Sequence, residues 1–173
     1  MHRLATCPGL DPPEDVVLVE QPSADVLFLT SAGTDISCLD ASLSSKPAWN
    51  ERIRALPLSC LDHPAQLDHY LNTTAQAAHL IVVRLLGSRG HWSYGLEQLQ
   101  RWCADDTQRQ LLVLAGTADQ SNELHGLGSC SAELADQLSA LLREGGIDNM
   151  GLFLGALEAL LEGTPPSPDS VAV

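Results

Sequence analysis

The sequence predicts an α/β class: a doubly wound, mainly parallel sheet of four to five strands with helices on both faces. Three observations lead there. Four short runs, residues 25–30, 56–61, 80–86 and 111–115, are continuously apolar or β-branched rather than alternating, as strands covered on both faces are. The gaps between them are about 25 residues each and carry helical periodicity. Strand, crossover helix, strand is the unit that forces parallel pairing with right-handed connections. Finally, the chain has 173 residues, 45% hydrophobic and 18% charged, which suits one core and is too apolar for disorder. A flavodoxin-like or Rossmann-like plan is expected.

Residues 1–14 contain Pro and Gly without periodicity, which predicts a flexible N-terminal arm. Val16, Val17, Leu18 and Val19 read as a fifth strand at a sheet edge. After the run at 25–30, Ile36, Leu39 and Leu43 recur at helical spacing, and Asp35 is expected to cap that helix. The second helix spans 65–78, opened by Asp62 and Pro64; Leu96, Leu99, Trp102 and Cys103 mark the third. Ser131, Glu133 and Glu144 bracket Leu134, Leu138, Leu141 and Leu142 in another helix, which Gly145 and Gly146 stop. A last helix at 147–161 carries Leu152, Ala156, Leu157, Ala159, Leu160 and Leu161. Its Gly151 and Gly155, at i and i+4, leave room for another helix to approach. The domain is expected over 15–162, with a Pro-rich linker or tail at 163–173.

Nine Lys and Arg against 22 Asp and Glu leave a net charge of -13. That balance repels phosphate backbones and anionic lipid, so neither nucleic acid nor a membrane is an expected partner. The longest apolar run, 79–86, falls well short of the roughly 18 residues of a membrane span. No apolar stretch of a secretory signal follows Met1. The five cysteines are odd in number and lack a CxxC pair, which reads as free thiols in a reducing cytoplasm.

In a doubly wound sheet, ligands sit beyond the carboxyl ends of the strands. Of the loops there, only Gly87-Ser88-Arg89-Gly90-His91-Trp92-Ser93-Tyr94-Gly95 is chemically dense: three glycines, a cation, an imidazole and two aromatic faces. Such a set suits a planar anion held by stacking and charge pairing. The plainer alternative has Trp92 and Tyr94 packing at the start of the next helix and Arg89 pairing with one of the many acids. Several chemistries lack their ingredients. The only lysine, Lys46, lies outside any phosphate-binding loop. A receiver-type phosphoacceptor needs an aspartate where Leu86-Gly87-Ser88 stands. Thr30-Ser31-Ala32-Gly33-Thr34-Asp35 has one glycine where a dinucleotide fingerprint needs three, and no GxSxG elbow occurs. Cys130 before a helix N-terminus, with His125 nearby, is a candidate nucleophilic pair; an inert cap-region cysteine is the plainer reading. The six histidines show no metal-ligand spacing, and His63 and His69 with Asp62 and Asp68 read as a solvated helix face.

Three segments together resemble a known family. Ala24-Asp25-Val26-Leu27-Phe28-Leu29-Thr30-Ser31-Ala32, followed by Thr34-Asp35-Ile36-Ser37-Cys38-Leu39, is similar to the opening strand and helix of CobN, the large subunit of aerobic cobaltochelatase and a relative of the magnesium chelatase H subunit. Leu85-Leu86-Gly87 with Trp92-Ser93-Tyr94-Gly95 resembles that family's Leu-Leu-Gly-Gly and Trp-Pro-Tyr-Gly pattern. Leu142-Arg143-Glu144-Gly145-Gly146 with Asp148-Asn149 resembles its Arg-Glu-Gly-Gly-x-x-Asn segment. Ser93 departs from the family's proline, and Gly116-Thr117-Ala118-Asp119-Gln120 lacks its acidic turn, which fits a domain used as scaffold.

The resemblance implies the N-terminal head domain of a subunit that binds a corrin precursor, hydrogenobyrinic acid a,c-diamide. It further implies insertion of Co²⁺ into that ring, at the expense of ATP (with Mg) hydrolysed by CobS/CobT-like AAA+ subunits. The insertion centre would lie in the remainder of the large subunit. This chain alone is then expected to be non-catalytic and to hold neither cofactor nor metal. Its part would be tetrapyrrole capture or subunit docking, with Arg84, Arg89, His91, Trp92 and Tyr94 as the ligand-binding candidates. Two alternatives stand beside this reading: a stand-alone interaction module docking through the last helix at Leu152 and Leu157, and the head domain of a magnesium chelatase H-type subunit.

Overall fold

The computed structural model describes residues 15–171 and Val173; the expected arm at 1–14, with Cys7, lies outside the described residues. Four strands, β1 (Val26–Thr30), β2 (Ile53–Pro57), β3 (Leu80–Leu85) and β4 (Gln110–Ala115), form one sheet in the order β2-β1-β3-β4. Every pairing is parallel, with Val26 opposite both Ile53 and Leu80, and Leu80 opposite Gln110. The doubly wound α/β plan is the observed one.

Alternation along the strands divides the core in two. Val26, Phe28, Leu80, Val82, Leu112 and Leu114 face one side, beneath α1 (Gly33–Leu43), α5 (Ala132–Glu144) and α6 (Ile147–Leu161). Leu27, Leu29, Ile81, Val83, Leu111 and Val113 face the other, against α2 (Pro64–Asn72), α3 (Ser93–Ala104) and Leu124 of the short α4 (Ser121–Leu124). Because β1, β3 and β4 are buried on both faces, their sequences are continuous apolar runs. On the first side Phe28 meets Phe153 of α6 with ring centroids 5.4 Å apart, and on the second Tyr70 and Leu67 of α2 are fully enclosed.

Several local expectations are corrected. The second strand lies at 53–57 rather than 56–61: Pro57 ends it, and Leu58–Leu61 turn as a 3-10 helix that buries Leu58 and Leu61 at i and i+3. Val16 to Val19 are not a strand. This segment instead straps α2 and β2 through side chains: Gln66 Nε2 donates to Val17 O (2.9 Å), Tyr70 Oη to Gln21 Oε1 (2.8 Å), Thr74 Oγ1 to Gln21 O (2.7 Å) and Gln21 Nε2 to Ala55 O (3.0 Å). His69 belongs to the same contact, buried against Glu20 at 3.0 Å and not on a solvated face. The N-cap of α2 is His63, whose Nδ1 accepts from Ala65 N while its own N–H donates to Gln66 Oε1; Asp62 stands one residue too early to cap.

Ser131 does cap α5, accepting from Leu134 N at 3.2 Å. Gly145 and Gly146, at φ 72° and 92°, then carry the chain through a turn that other residues adopt only with strain. Among the tail residues, Pro168–Val171 form a 3-10 turn that buries Val171 in the core beneath α5 and α6. Among the described residues no helix is long and apolar enough to cross a membrane.

Candidate functional site

The order β2-β1-β3-β4 places the switch point between β1 and β3, where the chain leaves the sheet in opposite directions. Three side chains occupy its carboxyl end. Arg84 Nη1 donates to Asp35 Oδ1 at 2.6 Å, the Thr30 hydroxyl donates to Asp35 Oδ2 at 2.7 Å, and Ala32 N–H donates back to Thr30 Oγ1 at 3.0 Å. Ser31 N–H donates to Arg84 O at 3.0 Å across the same gap. Asp35 is therefore not the cap of α1, which begins at Gly33. It lies in the first turn with its side chain directed inward. With 4% and 7% of their side chains exposed, Asp35 and Arg84 form a buried ion pair that stitches the crevice in which such folds commonly hold ligands.

Past β3, the chain turns at Gly87, whose φ of 109° would strain any other residue and where a Cβ would crowd the His91 ring at 3.0 Å. Residues Arg89–Trp92 form a 3-10 turn leading into α3. His91 Nδ1 accepts from Ser88 N–H at 3.1 Å, closing that turn, and Arg89 N–H donates to Glu123 Oε1 at 3.1 Å. Trp92 goes inward: its indole lies on Gly95, where a Cβ would come within 2.1 Å of the ring, and its Nε1 donates to Leu61 O at 3.3 Å. Tyr94 stays at the surface and donates to Asp68 Oδ1 at 2.8 Å.

The five candidate residues thus separate. Arg84 and Trp92 are interior, whereas Arg89, His91 and Tyr94 share the exposed rim beyond the end of β3. Among the described residues, the Arg89 guanidinium makes no ion pair.

A second polar cluster lies at the far edge of the sheet. His125 is buried, accepts Ala115 N–H at its Nε2 (3.0 Å), has the Ser139 hydroxyl 3.0 Å from the same nitrogen, and bonds Asp136 through Nδ1. Since Ala115 N–H can only donate, Nε2 is the acceptor and the ring proton sits on Nδ1 toward Asp136. The order Ser, His, Asp is that of a hydrolytic triad, yet Ser139 is 0% exposed and the Nε2 lone pair is already engaged. No substrate reaches it. The cluster instead ties α5 to the open edge of β4, helped by Ser129, whose N–H donates to Leu111 O at 2.8 Å and whose Oγ accepts from Leu111 N at 2.9 Å.

The proposed Cys130–His125 pair does not form, because His125 is committed to Asp136, Ser139 and Ala115. Burial pushes the Cys130 thiol up to about 11, the reverse of the activation expected from a helix N-terminus. Among the described residues no group of three His, Cys, Asp or Glu is placed to hold a metal ion.

No family model matches the chain, and no solved structure matches it. Its sequence relatives are informative. Over 172 residues, 97% of the chain, it is 36% identical to the aerobic cobaltochelatase subunit CobN of a Sinorhizobium species. Over 159 residues, 91% of the chain, it is 31% identical to the subunit of that name from Pseudomonas aeruginosa. The chain is a CobN-related segment. It spans 13% of the first relative's length and 12% of the second's, so the likeness to CobN covers this whole domain and only a small part of the relatives.

Within this CobN-related domain, sequence reasoning found the loop after β3 and missed the partners that organise its neighbourhood. Asp35 has the sequence signature of a helix cap, and nothing in the residues between Thr30 and Arg84 announces that the three side chains meet. Asp136 and Ser139 of α5 sit at i and i+3, a spacing that marks one helix face but not the histidine it embraces.

Proposed function

We propose that this chain is the N-terminal head domain of a CobN-type cobaltochelatase subunit, non-catalytic by itself, which contributes tetrapyrrole capture or subunit docking to ATP-dependent cobalt insertion. The observation that carries the reading is the extent of the likeness: 97% of the chain matches a stretch amounting to 13% of a CobN subunit. The corrin precursor hydrogenobyrinic acid a,c-diamide is the substrate, cobalt is the inserted ion, and ATP hydrolysis belongs to AAA+ partners of the CobS/CobT type in the cytoplasm.

For contact with the precursor, the exposed rim is the better-suited surface. Arg89, which makes no ion pair among the described residues, offers a cation to a carboxylate of the ring's periphery. Tyr94 offers an aromatic face and His91 a polar edge. Arg84 and Trp92 act one layer beneath. Arg84 holds Asp35 and the β1 exit, and Trp92 seats the 3-10 turn that presents Arg89 and His91.

The experiment is a fluorescence titration of the chain with hydrogenobyrinic acid a,c-diamide, using Trp92 as the nearby reporter. Saturable quenching is expected, weakened at least tenfold in an Arg89→Ala/His91→Ala variant. Identical titrations for the two proteins would overturn the assignment of capture to this rim.

A further inference from the structure

The turn after β3 holds the His91 imidazole in one tautomer. Ser88 N–H donates to His91 Nδ1 at 3.1 Å, and the Ser88 hydroxyl lies 3.0 Å from the same nitrogen. A backbone N–H can only donate, so Nδ1 is an acceptor and the neutral ring carries its proton on Nε2. The ring rests over Gly87, where a Cβ would stand 3.0 Å from Nδ1 and 3.2 Å from Cγ. A larger residue there would push the imidazole off this mount. His91 is exposed, and its Nε2 makes no hydrogen bond among the described residues.

Arg89, in the same 3-10 turn, is exposed too and makes no ion pair among the described residues. A guanidinium donates and never accepts. The acids beside the turn are engaged: Glu123 Oε1 takes Arg89 N–H at 3.1 Å, and Asp68 Oδ1 takes the Tyr94 hydroxyl at 2.8 Å. Arg89 and His91 therefore present donors alone, on a chain whose net charge is -13.

From this geometry we infer that the rim recognises a free carboxylate on its ligand, and that His91 is a specificity-determining residue that separates carboxylate from carboxamide. A carboxylate accepts at both oxygens and can satisfy both donors, with charge assistance from Arg89. A carboxamide accepts at one atom only, so its N–H₂ confronts the second donor and both are left unpaired. Gly87 and Ser88 are positioning residues, acting through the imidazole they hold. The inference rests on the tetrapyrrole-capture reading and adds what is read on the ring: a side arm that is still a free acid, as against one already amidated.

The test is a calorimetric titration of the chain with hydrogenobyrinic acid a,c-diamide and with the same ring after its remaining carboxylates are converted to carboxamides. The acid form should bind at least about tenfold tighter. His91→Asn places an oxygen where Nδ1 accepts from Ser88 N–H and has no atom at the Nε2 position. This variant should keep the parent melting temperature, bind the acid form about fivefold more weakly and change binding of the amide form by less than about twofold. Equal weakening of both forms would make His91 a structural residue and overturn the inference. Equal binding of the two rings by the unsubstituted chain would overturn it while leaving the capture reading in place; binding of neither ring would overturn the capture reading and the inference with it. A long-range ¹H–¹⁵N NMR spectrum at pH 8 needs no ligand. A proton on His91 Nε2 is expected, and one on Nδ1 would overturn the inference.

Discussion

Arg84 and Asp35, 49 residues apart in the chain, join the ends of β3 and β1 through a buried 2.6 Å hydrogen-bonded ion pair. Their desolvation is offset by mutual charge and by the Thr30 hydroxyl, but the buried Nε of Arg84 has no hydrogen-bond partner among the described residues. Removing one partner leaves the other charge uncompensated, at a cost of about 3 to 5 kcal/mol, whereas exchanging both for apolar residues is far milder. Asp35→Ala should therefore destabilise strongly in chemical denaturation, and Asp35→Ala/Arg84→Met should recover most of the loss. Additive effects would show that the pair contributes nothing as a unit.

The His125 cluster predicts unequal losses. His125→Ala leaves the buried Ala115 N–H without an acceptor, which costs about 1 to 3 kcal/mol. Asp136 is mostly exposed, so Asp136→Asn should cost about 1 kcal/mol or less. Equal losses in equilibrium unfolding would mean that the hydrogen bond to Asp136, rather than the backbone contact, is what His125 supplies.

Cys130 predicts a pH dependence. Its thiol is raised by burial to about 11, so the folded state holds the proton more tightly than the unfolded one. The contribution to stability is then complete below about pH 8.5 and is lost as pH rises toward 11. In the native protein at pH 8, iodoacetamide should label Cys130 at least tenfold more slowly than in the denatured chain. Labelling at the denatured rate would contradict the partly buried placement.

On α6, Leu157 and Leu152 separate cleanly. The former is 0% exposed in this domain's own core, so Leu157→Ala should cost about 2 to 5 kcal/mol and does not report on association, contrary to the expectation from sequence. For the half-exposed Leu152, alanine should shift stability by about 0.5 kcal/mol or less. Thermal melts of the two variants check this directly.

How much was legible follows the physics of each element. Strands β1, β3 and β4 were readable because burial on both faces forces uninterrupted apolar runs. Strand β2 is an edge with Arg54 only partly buried, so the leucines of the following 3-10 turn imitated the strand better than the strand did. The run from Val16 to Val19 has β-branched character, but this segment reaches β2 through the Gln21 side chain, which donates to Ala55 O, and does not pair as a fifth strand. Helix α6 was read at its observed bounds because a Gly pair stops one helix and a long apolar stripe marks the next. For the candidate site, the loop's composition was visible while its layering was not. Trp92 and Tyr94 are equally aromatic in the sequence, and only Gly95, which makes space for an indole, hinted that Trp92 turns inward. The burial of Asp35 and the engagement of His125 depend on contacts between distant segments that no local pattern encodes.

The most direct test of the account is cobalt insertion by a Pseudomonas aeruginosa CobN hybrid that carries this chain in place of the stretch it matches, assayed with hydrogenobyrinic acid a,c-diamide, Co²⁺, ATP and the partner subunits. The account predicts insertion at a rate within about tenfold of the parent subunit, falling at least a further tenfold with Arg89→Ala/His91→Ala. A correctly folded hybrid with no insertion activity, or one indifferent to that double substitution, would contradict it.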